Sequence, residues 1–170
     1  MADFSLETDR LLLRELVPDD LEPLHEVLGD PETMRYYPHP FSRDETAEWI
    51  ARNRERYAKD GFGLWAMVLK ETGVVVGDAG LTVQEVDGEE LVEVGWHVHR
   101  GHQGRGLATE AGRASVGHGF REIGLDRIIS LIRPENEPSW RVAEKLGMRV
   151  WKETDRAGLR HRVYLLRRGA

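Results

Sequence analysis

The order of elements in this 170-residue chain predicts an α+β domain on a mixed, mainly antiparallel sheet of about seven strands flanked by helices. Three observations carry that expectation. Apolar residues change along the chain between a period of two and one near 3.6. Strand-like runs follow one another through short turns instead of alternating one for one with helices. A glycine-rich turn separates one strand from the start of a helix. At this length one hydrophobic core suffices, so residues 1–170 read as a single domain with neither repeat nor linker.

Leu11 to Leu16 alternates as a first strand and stops before Pro18. Pro18, Asp19 and Asp20 suit a first helical turn, and Leu21, Leu24, Val27 and Leu28 recur at helical spacing. Asp30 to Phe41 holds three prolines and the pair Tyr36 and Tyr37, an irregular connection. Ser42 with Glu45 is a capping-box signature for a second helix, which runs to about Lys59 before Gly61. Strands are expected at Leu64–Lys70, Val74–Val83 and Leu91–His99, the last two joined by an acidic turn over residues 85–90. After the glycine-rich turn, Leu107, Ala108, Ala111, Ala114 and Ser115 form a helix face small enough to lie close on a sheet, with Gly124 as terminator. A strand at Arg127–Arg133, a helix at Asn136–Leu146 and strands at Met148–Thr154 and Arg160–Leu166 complete the chain.

Hydrophobic residues make up 40% and charged residues 32%, a soluble balance, and no apolar run approaches the roughly 20 residues of a membrane span. No secretory signal is visible at the start. The chain has no cysteine, which removes disulfides and thiolate nucleophiles and fits a cytoplasmic location. A formal net charge of −6 argues against binding a nucleic-acid backbone and favours a cationic partner, although net charge says little about the field inside a cleft.

The informative segment is Val94 to Ala111. Gln103-Gly104-Arg105-Gly106 sits between a strand and a helix start, where backbone N–H groups lack intrahelical partners and the helix dipole favours an anion. Gly104 and Gly106 allow unusual dihedrals and close approach of phosphate, and Arg105 adds a cation at the rim. Two glycines alone describe a ligand-free turn equally well. The longer run Gln103 to Ala111, however, resembles the acetyl-CoA pyrophosphate loop of the GNAT superfamily of N-acetyltransferases. The branch it resembles most is the RimJ/RimL type, which acetylates protein N-termini and small amines. Thr8-Asp9-Arg10-Leu11-Leu12-Leu13-Arg14 is similar to that branch's first strand, and Asn136 to Met148 to its late helix, so the resemblance covers nearly the whole chain. The family's pattern places Gln or Arg three residues before the first glycine, where this chain has Gly101.

The resemblance implies a GNAT-like fold with acetyl-CoA as acetyl donor and an amine acceptor, either a small molecule or a protein N-terminus, those of ribosomal proteins included. It implies that backbone N–H groups of Gln103, Gly104, Arg105, Gly106, Leu107 and Ala108 hold the pyrophosphate. The strand edge at Trp96, His97 and Val98 would pair with the pantetheine arm, and Asn136 would touch that arm or cap its own helix. A homodimer is an analogy from relatives.

An amine must lose a proton to attack a thioester, and Glu93 matches the strand carboxylate that some GNAT enzymes use as base; the alternative is a surface strand residue. His97 is either a proton relay or an ordinary strand histidine. His97, His99 and His102 lie close enough to suggest a metal, but no carboxylate or thiolate completes a set, so no metal is expected. The late-helix tyrosine that protonates the departing thiolate in many relatives is Ala143 here. Ser139, one turn earlier, is the substitute donor or merely caps backbone. Tyr36, Tyr37, His39 and Trp65 are the expected walls of the acceptor site, an aromatic set that suits cationic amines. Two other readings remain open. Gly104 to Thr109 departs from the dinucleotide fingerprint only at its last position, which allows an oxidoreductase, and Ala143 allows an acyl-CoA sensor without catalysis.

Overall fold

A computed structural model describes residues 4–170. The strands are β1 (Ser5–Glu7), β2 (Leu11–Glu15), β3 (Leu64–Leu69), β4 (Val74–Val86), β5 (Glu89–Val98), β6 (Arg127–Ile132), β7 (Arg149–Arg156) and β8 (Leu159–Arg167). The helices are α1 (Leu21–Leu28), α2 (Arg43–Asp60), α3 (Leu107–His118) and α4 (Glu137–Lys145). All eight strands join one sheet in the order β1-β2-β3-β4-β5-β6-β8-β7, antiparallel everywhere except between β5 and β6. The eighth strand, β1, escapes sequence patterning because only three residues of it pair, with β2.

Periodicity explains the two layers. Strand β3 is buried along its whole length, with Trp65, Met67 and Leu69 in the core beside α3 and α4. Ala66 and Val68 point the other way, into the core beside α1 and α2. One residue of register therefore decides which layer a side chain joins. Helix α2 begins as its sequence predicts: the Glu45 N–H donates to Ser42 Oγ (3.1 Å) and the Ser42 N–H to Glu45 Oε1 (2.9 Å). It is fastened to the sheet by Asn53, whose Oδ1 accepts the Leu64 N–H at 2.9 Å, and by the Tyr57 hydroxyl, which donates to the Leu64 carbonyl.

Two turns are tighter than expected. The acidic stretch 85–90 is mostly strand, and only Asp87 and Gly88 turn, both at positive φ, so β4 and β5 pair from Val86↔Glu89 to Gly77↔Val98. That is the two-residue hairpin favoured by an Asp-Gly pair, whose twist matches the strands. Ala157 and Gly158 repeat it between β7 and β8.

The functional opening comes from the single parallel pair. Strands β5 and β6 meet through one registered pair, Glu93↔Ile129, and beyond it β5 continues to Val98 without a strand on that side. The unit β5-α3-β6 is the one parallel crossover among the described residues; the doubly wound core of a dinucleotide-binding enzyme is absent there. Among the described residues no helix is long and apolar enough to cross a membrane.

Candidate functional site

The gap beyond Glu93 is lined by main chain on one side. The Ser130 hydroxyl donates to the Val94 carbonyl (3.1 Å) and the Gln103 amide to the Val98 carbonyl (2.8 Å), so both carbonyls face the gap. Backbone direction repeats every second residue, which turns the N–H and carbonyl of Trp96 the same way. Next comes the glycine turn. Gly104 has φ +76° and Gly106 φ +80°, left-handed conformations that a side chain strains, and a Cβ at Gly104 would meet no protein atom within 4 Å. The Glu110 N–H returns to the Gly106 carbonyl at 3.0 Å, so the N–H groups of Leu107, Ala108 and Thr109 lie before the first helical bond.

These features converge on a cavity of about 410 Å³ lined by Gly104, Gly106, Leu107, Ala108, Trp96 and Val98. The donor set of free amides, an exposed strand edge and room above a Cβ-less turn fits a diphosphate joined to an extended amide-bearing arm. The turn itself is braced from the first strand. Arg10 donates to the Arg105 carbonyl (2.8 Å) and to Glu110 Oε1 (2.8 Å), while Thr8 donates to Glu110 Oε2 (2.5 Å). Arg105 is exposed and lines neither main cavity, so its contact here is through main chain.

A second cavity of about 360 Å³ opens on the α2 side. The two share Tyr36, Tyr37, Trp96, His97, Asn136 and Ser139, which form the passage between them. Asn136 Oδ1 accepts the Ser139 N–H (3.3 Å), so Asn136 caps α4 while also facing both cavities.

Glu93 lies on the floor of the second cavity, half-buried, its Oε2 accepting the Leu131 N–H at 2.7 Å. Burial pushes its pKa up to about 7, against the opposing pull of that hydrogen bond and of the charges on Arg156, His97 and Arg56. His97 belongs to a chain of side chains. Its Nδ1 meets Asp78 Oδ1 at 2.7 Å and its Nε2 meets the Tyr37 hydroxyl at 2.7 Å, while Trp49 Nε1 donates to the other Asp78 oxygen at 2.9 Å. Asp78 is fully buried. Burial alone would lower the His97 pKa, but the charge and hydrogen bond of Asp78, helped by Glu93, raise it above the ordinary histidine range. Tyr37 is 40% exposed as a residue, and desolvation of its hydroxyl, reinforced by Glu93 and Asp78, raises its pKa and keeps the phenol protonated.

Two of the expected acceptor walls lie elsewhere. Trp65 is 1% exposed and stacks on Phe4 at 4.4 Å between ring centroids. Its neighbour Leu64, on the opposite face of β3, lines the second cavity instead. His39 is exposed and pairs with Glu45 at 2.7 Å outside both cavities. Tyr36 and Tyr37 line both cavities. Ala143 is fully buried in the core, and Ser139 is half-buried in the passage. His99 Nδ1 accepts the Gly101 N–H, and no cluster of three metal-ligating side chains occurs among the described residues.

Sequence reading missed Asp78, Trp49 and three arginines, Arg52, Arg56 and Arg156, that line the second cavity. Asp78 left a signal: it is an acid inside the apolar run Val74–Val83, a pattern rare without a partner. Its partner was also countable, because residues equally far from the Asp87-Gly88 turn face each other, and Asp78 faces His97.

The family model described as Acetyltransferase (GNAT) domain matches residues 10–149. The chain is 36% identical over 152 residues to YkkB of Bacillus subtilis, an uncharacterized protein, covering 89% of this chain and 88% of that one. It is 32% identical over 145 residues to the uncharacterized N-acetyltransferase YnaD of Bacillus subtilis, with 85% and 82% covered. An acetyltransferase structure from Agrobacterium tumefaciens superposes with a TM-score of 0.85 at 27% identity, over 99% of this chain and 96% of that one. Spermidine N(1)-acetyltransferase of Escherichia coli is 29% identical over 153 residues, 81% of this chain and 72% of that one. The ribosomal-protein-S5-alanine acetyltransferase of Vibrio fischeri, at 17% identity and a TM-score of 0.73 over 98% of each chain, shares the fold alone and does not establish the RimJ/RimL branch. With a matching family model over most of its length and a splayed strand pair opening on a glycine-turned helix start, this chain belongs to the GNAT family of acetyltransferases, whose enzymes use acetyl-CoA.

Proposed function

We propose that the chain transfers the acetyl group of acetyl-CoA directly to a primary amine, of a small molecule or a protein N-terminus, inside one ternary complex. The observation that carries this reading is the passage between the two cavities, bounded by Tyr37, Trp96, His97 and Ser139, which gives donor and acceptor a common meeting point. Bound acetyl-CoA supplies an activated acetyl thioester. The free N–H groups of Leu107, Ala108 and Thr109 and the turn at Gly104 hold the diphosphate, and the Trp96 edge aligns the arm so that its end reaches the passage.

Glu93 takes a proton from the incoming ammonium, directly or through water, and passes it to solvent, as a base with a pKa of about 7 can near neutrality; the freed amine then bonds to the acetyl carbon, Glu93 accepts the second N–H proton, and the C–S bond breaks. The leaving sulfur needs a proton in return. Tyr37 stands in the passage with its hydroxyl against His97; its raised pKa keeps it protonated, so its transfer to the sulfur depends on His97 replacing that proton. As Tyr37 gives up its proton, the His97 imidazolium held by Asp78 replaces it, and solvent recharges His97. The acid that relatives place on the late helix thus comes here from the irregular segment before α2, with Ser139 beside it to hold water. The test is free-thiol release from acetyl-CoA with a panel of amines, combined with mass detection of the acetylated product. Product with several amines supports the reading; tight acetyl-CoA binding with no product from any amine removes catalysis from it.

A further inference from the structure

We propose that the acceptor cavity is built for an amine that carries a carboxylate or phosphate on the same small skeleton, held by Arg52, Arg56 and Arg156. This assignment rests on the transferase reading above and names its substrate class.

Arg52 and Arg56 are one turn apart on α2 and so share a face, and Arg156 ends β7; all three line the acceptor cavity. Among the described residues none of the three forms a salt bridge, whereas Arg133, the fourth arginine lining this cavity, pairs with Glu135. Arg56 and Arg156 are held but not neutralised. Arg156 donates to the Glu85 carbonyl (2.7 Å) and to Gln84 Oε1 (2.8 Å), both uncharged acceptors. Arg56 donates to Asn53 Oδ1 (3.0 Å), and the Arg52 guanidinium lies 6.0 Å from the Trp49 ring centroid. Arg56 and Arg156 are half-buried, hydrogen-bonded guanidinium groups with spare N–H donors, and Arg52 adds an exposed charge at the rim; such a set is suited to a planar or tetrahedral anion.

The only carboxylate lining this cavity is Glu93, and it is the group expected to meet the amine. Burial lowers the Arg56 pKa and the neighbouring Arg52 charge lowers it further, against the opposing pull of Asp60, Glu93 and Tyr57. Arg156 and Arg56 both pull the Glu93 pKa down, which sets their charges near the carboxylate that receives the proton. An acceptor with its anion a few bonds from its amine spans that arrangement. A polyamine, all cation, meets like charge at this wall instead. The cavity of about 360 Å³ is of small-ligand size. The local field therefore runs opposite to the chain's net charge of −6, which had favoured a cationic partner.

The test uses the full chain and matched acceptors that differ in one anion: β-alanine against β-alaninamide, phosphoethanolamine against ethanolamine, and a peptide beginning Ser-Asp against one beginning Ser-Asn, with spermidine alongside. The expected kcat/KM is about tenfold or more higher for the anionic member of at least one pair, with spermidine poorer still. Which pair responds separates a small carboxylate, a phosphate and an acidic N-terminus as the source. Arg156→Gln and Arg52→Gln should each erase most of that preference through KM, and calorimetric titration of the preferred anionic amine into the coenzyme A-loaded protein should lose affinity in step. Equal rates within every pair, or a preference for spermidine, overturns the acceptor assignment and leaves the transferase reading intact. Failure of acetyl-CoA to bind overturns both.

Discussion

The two halves of the cleft recognise their ligands by different means. The donor half is mostly main chain, made of free amides at the start of α3, the Trp96 edge and a turn kept open by Gly104 and Gly106. The acceptor half is side chains from α2, β5, the end of β7 and the segment before α2, with Glu93 at its floor. The contrast separates what a backbone conformation can supply from what a particular side chain must. Main-chain recognition needs only a conformation, so many sequences can share it, whereas side-chain recognition changes with each substitution and so defines the individual enzyme.

That contrast breaks most sharply at the reacting groups. Glu93→Gln keeps the oxygen that accepts the Leu131 N–H but cannot take a proton, so kcat is expected to fall by about 10² or more with the acetyl-CoA dissociation constant little changed. Calorimetry with acetyl-CoA and steady-state rates measure the two halves separately. Tyr37→Phe should lower kcat by roughly tenfold to a hundredfold and leave acceptor KM near its starting value. A wild-type rate in that variant transfers the acid role to Ser139.

Changes in the donor half should show the reverse signature. Gly104→Val forces a branched side chain into φ +76°, a strain of about 1–3 kcal/mol, and fills the space above the turn. Acetyl-CoA affinity is expected to drop at least tenfold. Arg10→Met, which removes the brace on the Arg105 carbonyl and Glu110, should raise KM for acetyl-CoA by a few fold at unchanged acceptor KM. Equal effects on both substrates would show that the halves are not separable.

The smallest expected effect is on stability. The folded-state pKa of Glu93 is raised above its ordinary value, so the folded chain favours the protonated form, and that stabilisation is lost as pH rises through about 7. Glu93→Gln cannot ionise and should therefore melt a few degrees above the wild type at pH 8 and about level with it at about pH 4, below the ordinary glutamate pKa. Parallel melting curves at the two pH values settle the sign.

Legibility in the sequence followed the same division. The helix start at Gly106-Leu107, the capping box of α2 and the hairpin turns were readable because each depends on local backbone rules at named residues. Glu93 was singled out by resemblance and the tyrosine pair by its place in an aromatic, proline-rich connection. Trp65 was misplaced because a one-residue step in β3 moves a side chain to the other layer, and nothing local distinguishes the two faces of a strand buried on both. His39 failed for another reason, since its near neighbour Glu45 satisfies it on the surface. The arginines were invisible because Arg52 and Arg56 look like the solvated face of an amphipathic helix, and only the fold brings Arg156 to the same cavity.

The most direct measurement is the pH dependence of kcat/KM for one good acceptor in wild type and Glu93→Gln. The wild-type profile should climb through an acid limb with an apparent pKa of about 7, and that limb should vanish in the variant. An acid limb of the same midpoint and depth in both proteins would contradict Glu93 as the group that receives the amine's proton.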